Sequence, residues 1–390
     1  MKTPQMNALP RVALLVDTST SWGRRVLLGI NAYTRAHHPW HLFVEARGLG
    51  EKMRIPDGWE GEGVIARIGD LEMARHLKTL HLPVVNVSGI ELGDVSFPRV
   101  CTDLVASGQM AAGYFIERGF RSFAYFSMRG LQYVATHQQA FQEAISRIGG
   151  RCSVFEAVPR LEAEPEWGIN RAGLAEWLES LPKPVAVLTW NASGSREVLH
   201  GCQSAGLRVP EEVSVLSASD DDLLCELSPV PISALFVSGE TIGNHAAQLL
   251  DRSLRGEDVS GASISVAPIN VVQRQSTDTL ALEDPVIVRA LSFIRERSRE
   301  QIQVGDVASH VGVSRRMLER RFLQQLGRSP AEEIRRTHLD RAKVLLLETS
   351  LSIPEVAEGA GFGSPEYLAQ VFRADVGMSP LRFRREVMGR

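Results

Sequence analysis

Polar side chains recur at helical spacing in two segments near the end of the chain. The eight residues are Arg315, Arg316, Glu319 and Arg320, followed by Glu366, Tyr367, Gln370 and Arg373. Residues three and four positions apart lie on one face of a helix. Side chains of these types form hydrogen bonds with base edges in the major groove, and arginine also binds phosphates. We therefore expect these residues to contact double-stranded DNA.

The two segments belong to a duplicated unit. Gly312 recurs as Gly361 after 49 residues, and Gly327 recurs as Gly377 after 50 residues. One residue has therefore been gained between the two glycines, while the apolar pattern on each side is kept. Glycine suits a sharp turn between two amphipathic segments, so each unit predicts a helix-turn-helix.

Capping residues mark the ends of these helices. Ser314 and Ser364 stand directly before the polar segments and are preferred N-cap residues. Gly327 suits the left-handed end of a helix, and Ser329 with Glu332 forms a capping box for the next one. Such punctuation also occurs in plain helical bundles, so the DNA-binding interpretation depends on the exposed polar faces.

A second set of polar residues follows apolar runs in the first 275 residues. Trp22 comes shortly after VALLVD, Asp103 follows RVCT, Asn191 follows VAVLTW, and Ser219 and Asp220 follow VSVLSA. Carboxylates and amides bond sugar hydroxyls, and an aromatic face covers the C–H side of a sugar. This pattern favours a small-ligand site. The alternatives are helix capping by the two aspartates and a core position for Trp22.

Short apolar runs alternate with amphipathic segments from residue 11 to residue 275. This alternation predicts an α/β fold with parallel sheets, and the length suits two lobes. From residue 286 to residue 390 the pattern is entirely helical and predicts an all-α domain with two helix-turn-helix units. We expect residues 1–10 to form a tail and residues 276–285 to form a polar linker.

The charge distribution separates the two regions. The chain of 390 residues has a net charge of −3, but from residue 285 onward it has 18 Lys and Arg against 13 Asp and Glu. A basic helical region attached to an acidic body favours a polyanion as its partner. No apolar run is long enough for a membrane helix, no signal-peptide pattern is seen, and the four cysteines are widely spaced. We expect a cytoplasmic protein without a metal or a cofactor.

The helical region resembles the AraC-type DNA-binding domain. The resemblance is carried by the doubled unit and by FRADVGMSP at 372–380, together with the intervening segment EEIRRTHLDRAKVLLLETS. It implies two helix-turn-helix units joined by a long helix. It also implies that six of the eight polar residues face the grooves of DNA, namely Arg316, Glu319, Arg320, Glu366, Tyr367 and Gln370.

The first 275 residues resemble the sugar-binding core of LacI-type repressors and periplasmic sugar-binding proteins. The segments that carry this resemblance are TDLVASGQMAAGYFIERGFRSFAYF, LTWNASGSREVLHGCQSAGLRVPEEVSVLSASDD and INVVQRQST. The resemblance implies a two-lobe fold of the type I periplasmic-binding-protein class. It adds His137 to the ligand-binding candidates, where the family usually has an arginine. Ser219 stands where the family usually has an aspartate, whereas Asp103 and Asn191 match.

The two resemblances together imply a transcription regulator that binds promoter or operator DNA as a homodimer. They imply an activator, with RNA polymerase as a further partner, and a small sugar effector, either xylose or a related monosaccharide. Two alternatives remain open. One is a sugar- or nucleotide-processing enzyme with a helical appendage, although P-loop, dinucleotide-binding and nucleophile-elbow motifs are absent from the sequence. The other is a scaffold protein whose helices contact another protein.

Overall fold

The computed structural model describes residues 9–45, 54–55, 58–93, 95–158, 173–279, 281–282, 284–349 and 351–388. Most of the tail predicted for residues 1–10, and positions 280 and 283 of the predicted linker, lie outside these ranges. Within them, no helix is long and apolar enough to cross a membrane.

Twelve strands are found in the described residues. They are β1 (Arg11–Leu15), β2 (His41–Val44), β3 (Gly63–Ala66), β4 (Val84–Asn86), β5 (Arg99–Thr102), β6 (Ser122–Met128), β7 (Arg151–Ala157), β8 (Val185–Thr189), β9 (Val213–Ser217), β10 (Ser233–Phe236), β11 (Ser263–Val266) and β12 (Asn270–Val272). The central strands β1, β3, β8 and β9 are almost entirely buried, as their continuous apolar sequences require.

The strands form two sheets of six. The first has the order β11-β5-β4-β3-β1-β2 and is parallel throughout. The second has the order β12-β10-β9-β8-β6-β7 and is parallel except for β12, which pairs antiparallel with β10. The chain passes between the sheets three times, after β5, after β10 and after β11. The predicted two-lobe fold with parallel sheets is confirmed.

Fifteen α-helices are found in the part of the chain that the structure describes, and eight of them cover the two sheets. They are α1 (Ser21–Ala36), α2 (Leu71–Thr79), α3 (Leu104–Glu117), α4 (Gln132–Ser146), α5 (Leu174–Ser180), α6 (Ala192–Ser204), α7 (Asp222–Glu226) and α8 (Gly239–Leu254). Helices α1 and α8 pack closely because Gly29 and Gly243 bring the backbones together. A Cβ on Gly243 would lie 2.0 Å from the Val26 carbonyl oxygen.

Seven further helices form the C-terminal domain. They are α9 (Pro285–Glu296), α10 (Val304–Val311), α11 (Arg315–Leu326), α12 (Pro330–Glu348), α13 (Ile353–Gly359), α14 (Pro365–Val376) and α15 (Pro380–Met388). Leu318 and Phe322 anchor α11 in one buried cluster, and Leu368 and Phe372 anchor α14 in a second. Helix α12 contributes to both clusters and therefore joins the two helix-turn-helix units.

The segment between the two domains is packed against the second lobe. Ser276 and Thr277 are fully buried, and the Ser276 hydroxyl donates to the Val215 carbonyl at 2.6 Å. Further on, the Ala281 N–H donates to the Arg118 carbonyl at 2.9 Å. Although the composition of residues 276–285 is that of a polar linker, its described residues are held by the body of the protein.

Candidate functional site

Segments that follow strands of the two sheets approach each other, and the region between them is termed the cleft. Ligands of open α/β sheets bind outside the carboxyl ends of the strands. Contacts across the cleft join the start of α1 to the segment after β9. The Ser21 backbone N–H donates to Asp221 at 3.1 Å, and the Ser21 hydroxyl donates to Asp222. Arg25 lies 3.6 Å from Asp222. One side of the cleft is therefore closed by polar contacts between the lobes.

Three of the predicted ligand residues begin helices at this edge. Asp103 caps α3 by accepting from the Ala106 N–H at 2.9 Å, and Asn191 caps α6 by accepting from the Gly194 N–H at 2.7 Å. Trp22 lies in the first turn of α1, half-buried against the core of the first lobe. Asp103 therefore has the capping role, and Trp22 the packing role, that were named as alternatives to ligand binding. Asn191 likewise caps a helix. Their contact with a ligand stays a prediction.

Ser219 differs from these residues because its side chain is available. Its backbone N–H and carbonyl are both bonded to the Ser217 hydroxyl, at 3.2 and 2.7 Å. No described residue bonds the Ser219 hydroxyl. The segment after β9 is thus held by its backbone, which leaves a half-buried hydroxyl free to donate to and accept from a ligand.

Asp220 is engaged in an ion pair with Arg274. Their side chains are 5% and 10% exposed, with a separation of 3.0 Å, and Arg25 lies 4.0 Å from the other carboxylate oxygen. Burial raises the pKa of the Asp220 carboxyl, and the arginines oppose this shift. Asp220 lines a cavity of about 410 Å³ that is closed on its far side by Val344 and Leu347 of α12.

Of the six predicted ligand residues, Asp220 lines the cavity beside α12 and the other five do not. That cavity faces α12 rather than the space between the lobes, so the grouping of the six residues around a ligand stays a prediction. His137 is buried in the core of the second lobe, where its Nδ1 lies 2.7 Å from the Tyr125 hydroxyl. Burial lowers the pKa of His137 to about 4, so its imidazole is neutral at physiological pH. Its Nε2 has no partner among the described residues.

Further polar and aromatic residues at the cleft were not predicted from the sequence. Arg67, directly after β3, pairs with Asp17 at 3.1 Å, and its positive charge acts on Tyr133 of the opposite lobe. Trp190, directly before Asn191, has a buried Nε1 without a partner among the described residues. An aromatic residue at the end of β8 was a signal that could have drawn attention to Trp190. The sequence gives no comparable signal for Arg67, whose place at the cleft follows only from the pairing of β3 with β1.

The second candidate site is formed by α11 and α14. Gly312 precedes α11 with a φ of +73°, and Gly361 occupies the equivalent turn before α14 with a φ of +74°. Ser314 and Ser364 cap these helices by accepting from the N–H groups of Met317 and Tyr367. The predicted turns and caps are confirmed.

The eight predicted DNA-facing residues share the solvent side of these helices. Glu319 is partly covered and the other seven are exposed. Arg315 pairs with Glu319 at 2.9 Å, whereas Arg316 and Arg320 have no bonding partner among the described residues. On α14 the ring of Tyr367 lies edge-on to Phe362, with centroids 5.9 Å apart, which orients an otherwise exposed aromatic side chain. Helix α11 thus presents unpaired positive charge, and α14 presents a mixture of hydrogen-bond donors and acceptors.

Family models and curated relatives match nearly the whole chain. Residues 11–108 match a XylR N-terminal domain, residues 112–277 match a periplasmic binding protein-like domain, and residues 307–386 match a helix-turn-helix domain. The xylose operon regulatory protein of Escherichia coli strain K12 is 30% identical over 96% of both chains. That of Haemophilus influenzae is 31% identical over 96% of this chain and 98% of the relative.

The chain belongs to the xylose operon regulatory protein family. A solved structure described as the xylose-binding transcription activator XylR covers 97% of this chain and 98% of its own, with 28% identity and a TM-score of 0.62. A LacI family regulator from Bifidobacterium animalis shares the fold of the two lobes, with a TM-score of 0.52 over 70% of this chain. The xylose operon regulatory proteins are transcription regulators, and both resemblances drawn from the sequence are confirmed.

Proposed function

We propose that this regulator binds operator DNA through α11 and α14, and that a small sugar in the cleft between the lobes controls its binding. Xylose is the first candidate for the sugar. The observation that carries the proposal is the pair of capped helices with exposed polar faces, attached to a two-lobe body whose strand ends meet at a cleft.

The DNA-binding part of the proposal rests on charge and exposure. Unpaired arginines near the start of α11 suit phosphates and guanine edges, which arginine contacts through two parallel hydrogen bonds. Glu366, Tyr367 and Gln370 on α14 are uncharged or acidic and suit base edges rather than phosphates. We therefore expect the two helices to contact different half-sites, with α11 supplying more of the salt-dependent affinity.

The sugar-binding part rests on the chemistry of the cleft. Ser219, Asn191 and Asp103 offer hydroxyl, amide and carboxylate groups, and Trp22 offers an aromatic face. This combination suits a small polyol. Xylose comes first because the solved relative over the full length of the chain is described as xylose-binding.

Control follows from the way the two sheets are joined. Three chain crossings connect the lobes. A sugar that bonds both lobes at once stabilises the arrangement in which they are closed. Both lobes contact the DNA-binding domain, because α15 packs against α8 of the first lobe and α12 packs against β12 of the second, so closure alters how α11 and α14 are presented. The coupling free energy is the difference between the free energies of sugar binding to the open and to the closed arrangement.

We include a homodimer, activation and contact with RNA polymerase in the proposal. Two chains would present four recognition helices to a repeated operator site, which raises affinity through effective concentration. Light scattering of the purified chain, with and without DNA, measures the oligomeric state. A monomer in both conditions would remove the dimer from the proposal.

Footprinting of the purified protein on upstream regions, with and without xylose, tests the function directly. We expect protection of a defined site that changes with xylose. Calorimetry with xylose, arabinose and glucose tests the sugar separately. Uniform, sequence-independent DNA binding would reject the regulatory function, whereas absence of heat with xylose but binding of another sugar would reject only xylose.

A further inference from the structure

A second cleft, of about 1080 Å³, lies between the two-lobe body, called the sensor, and the DNA-binding domain. Its walls are α3 and β12 on the sensor side and α9 and α12 on the other side. Six cationic side chains line it, namely Arg118, Arg274, Arg295, Arg336, Arg341 and Lys343, against four carboxylates. The volume is slightly above the range of about 300–1,000 Å³ that is typical of small-molecule sites, so a small ligand fits with room to spare.

Three of these six charges are already compensated by carboxylates, and Arg341 donates to the Gly359 carbonyl. Arg336 pairs with Glu117, Lys343 lies 4.0 Å from Asp340, and Arg274 pairs with Asp220. Arg118 and Arg295 differ from this group. No described carboxylate pairs with either guanidinium, although both line the same cleft.

Arg118 is held firmly in place without a carboxylate. Its guanidinium lies 3.4 Å from the centroid of the Tyr114 ring, and Nη2 donates to the Gln273 side chain at 2.7 Å. The residue is 6% exposed, and its Nε is buried without a partner among the described residues. Carboxylates of Glu333, Asp340 and Asp278 attract Arg118 from a distance, but none forms an ion pair with it. A buried guanidinium with an unbonded N–H and no paired anion is costly.

Arg295 adds a second uncompensated charge from the DNA-binding domain. Burial, together with repulsion from Arg118, lowers the pKa of Arg295 to about 10. Burial also lowers the pKa of Arg118 and of Arg336. Burial therefore disfavours the charged forms of Arg118 and Arg295, which have no ion-pair partner, and a bound anion would stabilise both. Arginine binds phosphate oxygens through paired N–H groups, which favours a phosphate over a single-charge anion.

Two further buried polar atoms, one donor and one acceptor, indicate which groups the rest of the ligand carries. The Nε of Arg336 has no partner among the described residues and can donate to a phosphate oxygen. The Oδ1 of Asn270, 7% exposed and also without a described partner, can accept from a hydroxyl but not from a phosphate dianion. An acceptor beside three donors suits a ligand with both a phosphate and a hydroxyl group.

We propose that the cleft between the sensor lobes and the DNA-binding domain binds a phosphate monoester of a small polyol, held by Arg118, Arg295 and Arg336. Asn270 accepts from one of its hydroxyls. The ligand contacts both domains, so it stabilises one arrangement of the DNA-binding helices relative to the sensor. This site is separate from the cleft between the lobes and does not depend on the identity of the sugar bound there.

Calorimetry on the full chain at constant ionic strength tests the proposal, with ribose 5-phosphate, inorganic phosphate and ribose as probes. We expect ribose 5-phosphate to bind saturably, inorganic phosphate to compete more weakly, and ribose not to compete. Binding of inorganic phosphate with exclusion of the ester would overturn the assignment of a polyol ester. Absence of saturable binding by either phosphate would overturn the site.

Arg295→Gln locates the binding. We expect it to weaken the affinity for ribose 5-phosphate by at least about tenfold, because the variant cannot form a charge-assisted hydrogen bond with the phosphate. Arg297→Gln is the matched control, since Arg297 is exposed and pairs with Glu300 outside the cleft. Arg295→Lys keeps the positive charge and should restore part of the affinity, while circular dichroism checks the fold. Equal affinity in Arg295→Gln and the wild type would place the ligand elsewhere and reject the proposal.

Discussion

Arg336 on α12 donates a hydrogen bond through Nη1 to the carboxylate of Glu117 at the end of α3. This ion pair joins the DNA-binding domain to the second lobe of the sensor. Both side chains are about one-third exposed. Such a pair contributes little to stability, typically below about 1 kcal/mol. The position of the pair matters more than its strength, because a movement of one domain relative to the other changes the distance between the two side chains.

Glu117→Gln should therefore weaken coupling between sugar and DNA while leaving both binding events in place. We expect the ratio of DNA affinities with and without the sugar to change by roughly 0.5–2 kcal/mol. Fluorescence anisotropy on operator DNA, at zero and saturating sugar, measures this ratio. Glu143→Gln, on the exposed face of α4, serves as the control. An unchanged ratio would show that the pair has no part in coupling.

Arg316→Ala combined with Arg320→Ala should reduce operator affinity by about 1–3 kcal/mol for each arginine that reads a base. If an arginine binds phosphate instead, affinity falls on all sequences and the slope of log affinity against log salt decreases by about one. A salt series on operator and random DNA separates the two cases. Arg297→Ala, exposed on the C-cap of α9, should bind as the wild type does. Wild-type affinity in the double variant would favour a protein partner for α11.

Ser219→Ala should weaken sugar binding with little effect on stability, because the hydroxyl has no bond within the described residues. Loss of one neutral hydrogen bond corresponds to about 0.5–1.5 kcal/mol. Calorimetry measures the affinity, and thermal unfolding checks the fold. Ser180→Ala, an exposed residue at the end of α5, provides the comparison. Full sugar affinity in Ser219→Ala would remove this residue from the site.

Gly361→Ala should destabilise the second helix-turn-helix unit more than Gly312→Ala destabilises the first. Both glycines have positive φ, which costs an alanine roughly 1–2 kcal/mol. At Gly361 a Cβ would also lie 2.7 Å from the Glu300 carbonyl oxygen and 2.8 Å from the His338 Nε2, whereas at Gly312 the space is open. Hydrogen exchange over α10–α11 and α13–α14 measures the two effects separately. An equal decrease in protection in both units would mean that Glu300 and His338 yield to the added methyl group without cost.

His137 predicts an acid-sensitive second lobe. Its folded pKa of about 4 lies below the ordinary value of 6.5, so the unfolded chain takes up the proton first as pH falls. Stability is therefore lost between about pH 6.5 and pH 4, by about 3 kcal/mol in total. Urea unfolding monitored across this range measures the loss. His137→Gln should flatten the dependence and the exposed His38→Gln should not, so matching slopes in all three proteins would contradict the assignment.

Local sequence signals predicted the C-terminal domain well. The glycines at 312, 327, 361 and 377 all have positive φ, and the serines at 314, 329 and 364 all cap helices. These signals work because a cap or a turn depends on a few neighbouring residues. The apolar runs VALLVD, VAVLTW and VSVLSA also became strands, namely β1, β8 and β9. Other strands have no continuous apolar run, among them β7 and β11, whose edge positions leave many of their residues only half-buried.

The ligand site was harder to predict, because its residues come from distant parts of the chain. Nothing in the local sequence distinguishes Ser219, with a free hydroxyl, from Asp220, whose carboxylate is held by Arg274 54 residues away. Arg67 and Tyr133 meet only because two lobes face each other.

Short-range periodicity and capping were enough to predict the two domains, the helix-turn-helix repeats and the polar faces of α11 and α14. Which polar groups are paired, which remain free, and how α12 packs on the sensor became known only from the folded chain. Pairing and burial of a charge depend on contacts between residues hundreds of positions apart, such as Arg336 and Glu117, and such contacts leave no pattern in the local sequence.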